Sequence, residues 1–443
     1  MLQYNRARMN DAAASHPPGN FYTRIPLYLR IIAGLILGVI VGTVLMQMSP
    51  DRAHPPKWVI NTMTTMNEAA KLLLRLLNMI APPLIMVAVV RALITAEIKG
   101  RQAGRLMFLL VLNTLVAIVI GLLVANILRP GKHAQLEPGK IEQAHANPLL
   151  QFLENIPKSF IGPFGDEANT IGVIIIAVGV GLVVRKLDQP RRETVIYATT
   201  LVFDIIIGLL HWVIQLVPIA VLAKVAFIIA KDGFAPFKAV AWFIVAVLLA
   251  LFLQSAYYLV RVRFGSWVRP MQLIRGTRDA LVLAFSTASS TAAMPVTYEC
   301  LKDRVGIRPQ SASLGALVGS NFNNDGTALY EAMSALFIAQ MIGQDLSLVQ
   351  QFMVVITSVV AAVGAAGIPE AGLVTMTMVF NAVHLPVGYI ALLLPVDWFL
   401  DRCRTAINVM GDMNVSCLLD GKTPPTSAEK LDAPKETAPA VAS

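Results

Sequence analysis

Charge is scarce in this chain of 443 residues: only 14% are Asp, Glu, Lys or Arg, while 56% are hydrophobic. Soluble domains average about 25% charged residues, so a water-soluble globular fold is excluded and an integral membrane protein is expected. Cysteine is rarer still. Cys300, Cys403 and Cys417 lie in or beside apolar segments and make no disulfide framework. The six histidines, among them His211 and His384 in apolar runs, show no metal spacing. Phosphate loops and nucleophile–base patterns are also missing, so neither an enzyme nor a resident cofactor is expected. Basic residues exceed acidic ones, 36 to 27. In so apolar a chain that excess marks loops that set topology, not a nucleic-acid surface. Residues 1–21 are polar, with Arg6, Arg8 and Pro17-Pro18, and lack the apolar core of a cleaved signal.

What is abundant is long apolar runs. Those able to span a bilayer lie near 26–48, 69–94, 104–128, 170–184, 193–229, 237–260, 312–340 and 383–419; the fourth is short, and the fifth is long enough to tilt or bend. Two further runs, near 280–297 and 352–379, are interrupted by Ser286-Thr287-Ala288-Ser289-Ser290-Thr291 and by Gly364-Ala365-Ala366-Gly367-Ile368-Pro369. Gly and Pro inside an apolar run end a helix, and unwound backbone at membrane depth survives only inside protein or along a cavity. Each interrupted run is therefore predicted to be a re-entrant hairpin. Clusters of Arg and Lys at 6–30, 91–105, 185–192, 261–278 and 302–308 all fall on one side if there are eight spans plus two hairpins. Both termini are then cytoplasmic. The expected organisation is a cytoplasmic tail at 1–21, an all-α membrane unit at 22–420 and a disordered cytoplasmic tail at 421–443, rich in Pro, Ala, Lys and Glu.

Three polar features sit where lipid would make them costly. Asp397, Asp401, Arg404, Thr405, Asn408 and Asp412 share one face of the last apolar run at helical spacing. Arg404 offers a fork of donors suited to a carboxylate and Asp401 a carboxylate suited to an ammonium; at i and i+3 the two could equally pair with each other. The second feature is Gly319-Ser320-Asn321-Phe322-Asn323-Asn324-Asp325-Gly326-Thr327 in the seventh span, which supplies side-chain and backbone oxygens but no sulfur or imidazole. Hard cations take that shell, and a broken helix near the midplane is a common ion-site device; polar glue between helices is the alternative. The third is Glu331, alone in an apolar helix where an anion is costly. It is a candidate proton carrier or a structural partner of a neighbouring helix. Arg402 faces another side and is expected to support Asp401 or a hairpin tip.

Four motifs, in order and spacing, resemble the dicarboxylate/amino acid:cation symporter family, the glutamate transporters. They are the serine-rich first hairpin, Asn323-Asn324-Asp325-Gly326-Thr327, the second hairpin's Ala366-Gly367-Ile368-Pro369, and Asp401 to Asp412. The resemblance covers residues 26–419 and is closest to acidic amino acid carriers. It implies a homotrimer in the plasma membrane, the inner membrane if bacterial. Spans 1, 2, 4 and 5 would form a scaffold, and spans 3, 6, 7 and 8 with both hairpins a transport domain moving as an elevator. It further implies that Arg404 holds a substrate side-chain carboxylate and Asp401 its amino group, with Ser289, Ser290, Thr327, Gly367, Thr405 and Asn408 completing the site. One Na+ would use Gly319, Asn323, Asn408 and Asp412. A second would use Asn323, Asp325, Asn113 and Thr114. A third would use Asn321, Asn324, Ala362, Val363 and Ala365. Glu331 matches the family's proton-coupling position. Leu110 stands where an ion-site tyrosine is common, Asn324 where methionine is usual, and Ala288 where archaeal members carry arginine. The expected activity is symport of L-glutamate or L-aspartate with Na+ and/or H+. The alternatives are a C4-dicarboxylate carrier, a neutral amino acid carrier and an anion channel.

Overall fold

A computed structural model describes residues 25–49, 56–95, 101–133, 157, 159–165, 170–364 and 371–426; these are helical, with no strand among them. The helices are α1 (Leu27–Gln47), α2 (Lys57–Thr95), α3 (Arg101–Leu128), α4 (Thr170–Val184), α5 (Gln189–Ile214), α6 (Val217–Asp232) and α7 (Ala235–Gly265). The first hairpin is α8 (Pro270–Thr287) and α9 (Ser290–Glu299), continued by a π turn at Cys300–Val305. The seventh span is α10 (Pro309–Ser313), a π turn at Leu314–Val318, α11 (Gly319–Phe322) and α12 (Asp325–Met341). The second hairpin is α13 (Leu348–Gly364) and α14 (Ala371–Ala382), and α15 (Leu394–Asp420) closes the fold. Among the described residues, five helices (α1, α2, α3 with its extension to His133, α5 and α7) are individually long and apolar enough to cross a membrane. The interrupted spans do not qualify, because polar residues break them.

Two groups of helices pack among themselves. In one, α2 lies against α4, α5 and α6, and α1 against α6. The α1–α6 contact is backbone to backbone. Gly34, Gly38 and Gly42, one turn apart, face the carbonyls of Pro218, Leu222 and Ala226, and a Cβ at each would lie 2.4, 2.8 and 2.8 Å from those oxygens. Small residues let membrane helices approach this closely where hydrophobic exclusion from water offers no drive. In the other group, α3, α7, α12 and α15 pack with both hairpins.

The long run expected at 193–229 is two helices. α5 ends at Ile214, and α6 starts at Val217 with Pro218 in its first turn, a position Pro favours because the missing N–H has no partner there anyway. The run expected from 383 becomes a helix only at Leu394; Val387–Leu392 before it is a tighter 3-10 turn.

The first hairpin turns where the serine run predicts. α8 stops at Ala288, which adopts a left-handed φ of 51°, a conformation rare and costly for a residue with a side chain. The hydroxyl of Ser289 then caps α9, accepting from the Ala292 N–H at 3.1 Å. The arms reach further than predicted. Gln272 donates to the Val305 carbonyl at 3.0 Å and Arg304 to Asp279 at 2.6 Å, so the two ends of the hairpin lie side by side. The second hairpin's arms, α13 and α14, also pack together; its turn, with Ala365 and Gly367, lies outside the described residues, as do the tails at 1–21 and 427–443. At the far end of α15, Asp420 accepts from the Trp267 indole (2.7 Å) and the Arg308 amide (3.0 Å), tying that helix to the segments flanking the first hairpin.

Candidate functional site

The polar stripe of α15 is wholly interior: Asp397, Asp401, Arg404, Thr405, Asn408 and Asp412 are all buried. Arg404, fully buried, donates through one terminal nitrogen to Asp397 (2.9 Å) and through the other to Asp401 (2.7 Å). Its guanidinium lies 4.0 Å from the ring centre of Tyr330. The pairing of Arg404 with Asp401, open from spacing alone, is therefore present, and Asp397 joins it. Burying ions is tolerated only when they are paired and hydrogen-bonded. Here two carboxylates face one guanidinium, leaving one formal negative charge in excess. Asp397 Oδ2 and Arg404 Nε have no partner among the described atoms. Close approach of two other elements depends on glycine: a Cβ on Gly326 would lie 2.7 Å from the Arg404 carbonyl, and Gly372 of α14 faces Thr327 and the Arg404 guanidinium.

One turn on, Asn408 joins α15 to the broken span. Its Oδ1 accepts from the Gly326 amide (2.8 Å), its Nδ2 faces Asn324 Oδ1 (3.3 Å) and Thr327 Oγ1 (3.4 Å), and its carbonyl accepts from Asn323 Nδ2 (3.2 Å). Asn323 Nδ2 also donates to Asp412 Oδ1 (3.1 Å), the atom a Cβ on Gly319 would meet at 2.4 Å. Gly319, Asn323, Asn408 and Asp412 are thus one cluster, and Asn323 Oδ1 within it is buried without a partner among the described residues. The helix break lies at Asn323 and Asn324, whose ψ angles of 75° and 51° are not helical. Asn324 Nδ2 reaches the Ala362 carbonyl (2.8 Å), bringing the second hairpin to the break. For Asn321 and Val363 only the backbone is described.

A deeper cluster surrounds Asp325. Thr114 donates to its Oδ1 (2.6 Å) and the Tyr258 hydroxyl to its Oδ2. Asn113 accepts from Arg261 and faces Asn414 Oδ1 at 3.5 Å. Asn113, Thr114, Asp325 and Asn323 therefore lie together, with Gly411 facing both Asn323 and Asp325. Sequence reasoning missed Gln254, Tyr258 and Arg261 of α7 and Asn414 of α15. Positions 254, 258 and 261 are four and three apart, a polar stripe of the kind that revealed α15, and that spacing was the available signal.

Other expectations are met unevenly. Ser290 donates to the Ser320 carbonyl (3.2 Å), so it is joined to α11 rather than to Arg404 or Asp401. Thr405 donates to the Asp401 carbonyl (2.8 Å). Glu331 is fully buried and accepts from Thr375 of α14 through one oxygen, its other oxygen lacking a partner among the described residues. Arg402 does not support Asp401: it donates to the Trp398 carbonyl (2.6 Å) and lies over the rings of Trp398 and Tyr28. Two residues along a helix are a rotation of about 200°, which turns Arg402 outward to α1 while Arg404 points in. Among the described residues no three His, Cys, Asp or Glu gather in one place. The donors are amide, hydroxyl, carbonyl and carboxylate oxygens, which suit hard cations.

This combination of two hairpins, a span broken at Asn323–Asn324 and a polar last helix is matched by one family profile. The sodium:dicarboxylate symporter family aligns with residues 27–422. The chain belongs to that family. Among individual relatives, it is 29% identical to excitatory amino acid transporter 2 of Mus musculus over 443 aligned residues, covering 86% of this chain and 76% of that protein. An excitatory amino acid transporter of Caenorhabditis elegans is also 29% identical, covering 87% of this chain and 85% of its own. Excitatory amino acid transporter 4 of Mus musculus is 36% identical over 267 residues, 60% of this chain and 47% of that protein. Members of the sodium:dicarboxylate symporter family are transporters, so the clusters around α15 belong to a membrane carrier with no enzymatic step.

Proposed function

We propose that this family member is a secondary active symporter for an acidic amino acid, L-glutamate or L-aspartate, driven by Na+ and/or H+ gradients. The observation that carries this reading is the Arg404 fork, fully buried between Asp397 and Asp401 and overlaid by Gly372 of the second hairpin. A buried guanidinium can exchange one carboxylate partner for another, the substrate's side-chain carboxylate replacing one of its own. Asp401 is then released to hold the substrate ammonium, and the cluster's surplus negative charge favours a ligand that brings an amino group. Thr327, Thr405 and Asn408 lie beside it; Ser289, Ser290 and the second-hairpin turn at Gly367 complete the set.

Na+ held by Gly319, Asn323, Asn408 and Asp412 would satisfy the unpartnered Asn323 oxygen. A further Na+ between the Ala362–Ala365 backbone and the helix break would link the second hairpin to the same asparagines. Coupling then follows from shared residues: an ion that orders Asn323 and Asn408 prepares the substrate groups one turn away, and by linkage each ligand raises the other's affinity. Glu331, held by Thr375 of the second hairpin, is the proposed proton carrier.

The two helix groups are proposed as scaffold (α1, α2, α4, α5, α6) and moving transport domain (α3, α7, the hairpins, α12, α15). The assembly is taken to be a homotrimer in the plasma membrane with both termini cytoplasmic. Proteoliposomes loaded with buffer and given separate Na+ and H+ gradients test the reading. Labelled aspartate or glutamate should accumulate above the outside concentration under at least one of them. Equilibration without accumulation under both gradients rejects it.

A further inference from the structure

Of the two oxygen-lined clusters around the helix break, the one at Asp325 differs from the one at Asp412 in having a permanent positive charge of the protein, Arg261, bound to one of its oxygens. A buried carboxylate needs a cation or several donors to be tolerated; Asp325 has a donor on each oxygen, and a guanidinium is bound to the neighbouring Asn113. Thr114 and Tyr258 each place a hydroxyl on one of its two oxygens. Arg261, from the last turns of α7, donates to the side-chain oxygen of Asn113, the residue preceding Thr114. The same guanidinium lies 5.3 Å from the ring centre of Tyr257. No carboxylate forms an ion pair with it among the described residues, and its link to Asp325 runs through Asn113 and the adjoining Thr114. Asn113 is pinned from its other faces as well: its Nδ2 faces Asn414, and its carbonyl accepts from Gln254 at 3.4 Å. Leu110, one turn before Thr114, contributes only its backbone carbonyl, to which the Thr114 hydroxyl is also directed (3.2 Å).

A mobile cation seated here would have to share the Asn113 oxygen with a guanidinium already bound to it. It would also compete with two hydroxyl protons for the Asp325 oxygens. Two full positive charges on one amide oxygen repel strongly in a medium of low dielectric constant, and arginine cannot shed its proton to make room. The charge count points the same way. Arg261 and Asp325 sum to zero, whereas the Asn323–Asn408–Asp412 cluster holds a carboxylate with no guanidinium on it.

We propose that Arg261 is a tethered cation that takes the place of a mobile Na+ at the Asn113–Asp325 cluster, so that the chain carries one cation fewer than its oxygen-lined clusters would otherwise bind. This rests on the reading of the protein as a cation-coupled carrier. In that carrier the arginine would travel with the transport domain as a fixed charge, neutralising Asp325 in every conformation instead of being loaded and released each cycle. Tyr258 is its companion, bringing a phenol from α7 onto Asp325.

The test counts bound Na+ on purified protein without any amino acid, using equilibrium binding of radioactive Na+ and the dependence of the unfolding temperature on Na+ concentration, whose slope reports the number of ions bound to the folded state. Arg261→Met should bind one more Na+ per protomer than the wild type, and Arg261→Lys the same number as the wild type. If Arg261→Met does not fold, Arg261→Gln, which keeps a donor to Asn113 but not the charge, is read in the same way. In the wild-type background, Asp325→Asn should lose no bound Na+. The proposal is overturned if removing the charge leaves the count unchanged, or if Asp325→Asn lowers the wild-type count by one. Because no substrate is present, a failed uptake assay does not alter these outcomes.

Discussion

Two arginines in this molecule, Arg404 buried and Arg261 half-buried, belong to clusters that hold aspartate in opposite proportions. Arg404 faces Asp397 and Asp401, so one guanidinium stands against two carboxylates. Arg261 shares its cluster with one buried carboxylate, Asp325, whose oxygens already hold two hydroxyls. The first cluster has a charge to spare and a glycine, Gly372, overlying it; the second is balanced and enclosed by Tyr258, Asn113 and Asn414. The lesson is that a buried carboxylate in a cluster with an arginine is not by itself a site. A site needs an imbalance that a ligand can correct and a wall that can be moved aside.

Changes at the arginines and their partners put that contrast under strain. The largest expected effect is at Arg404→Cys. Losing a charge-assisted fork should weaken aspartate binding at least about 100-fold, measured by calorimetry or competition, and neutral amino acids should gain relative to acidic ones. Unchanged aspartate affinity would sink the assignment of Arg404. A smaller effect is expected from Asp397→Asn, which gives the Arg404 cluster the one-to-one balance of the Arg261 cluster. The preference for aspartate over its deaminated analogue succinate should fall about tenfold, since a charge near the ammonium is worth on the order of 1–2 kcal/mol at an effective dielectric constant of about 20. An unaltered preference would show that the surplus charge does not select the amino group. The smallest is at Arg402→Ala, two residues from Arg404 on the same helix. Its ring contacts are worth about 0.5–1 kcal/mol of stability, seen as a slight fall in unfolding temperature, while aspartate affinity stays within about threefold.

Much of this was legible in the residues because lipid makes polarity conspicuous. The α15 stripe, the break at Asn323–Asn324 and the serine turn of the first hairpin stand out because each violates the apolar pattern around it, and each lies where predicted. The α7 stripe was missed for the same reason in reverse. Gln254 and Tyr258 are mildly polar, and Arg261 sits near a run of basic residues that reads as a loop, so only its contact with Asn113 reveals that it points inward. The gap between α5 and α6 was hidden because Gln215 and Leu216 interrupt no periodicity, and Pro218 announces a helix start only once the break before it is known. Arg402 was read as facing another side, and it does; its contacts with the Trp398 and Tyr28 rings were missed because a contact between two helices leaves no spacing signal in the chain.

Asn408 carries one more consequence, a matter of valence. Both hydrogens of its side-chain amide are directed to Asn324 and Thr327, while its oxygen holds one donor, the Gly326 N–H, and has a second lone pair unspent. Under the proposed function, positive groups can therefore add to Asn408, but a negative group can be greeted only by exchange. A cation or an ammonium takes the spare lone pair; a carboxylate must first free a hydrogen from Asn324 or Thr327. That asymmetry separates the two kinds of ligand at one side chain: a cation binds by addition, loosening nothing, and an anion by substitution.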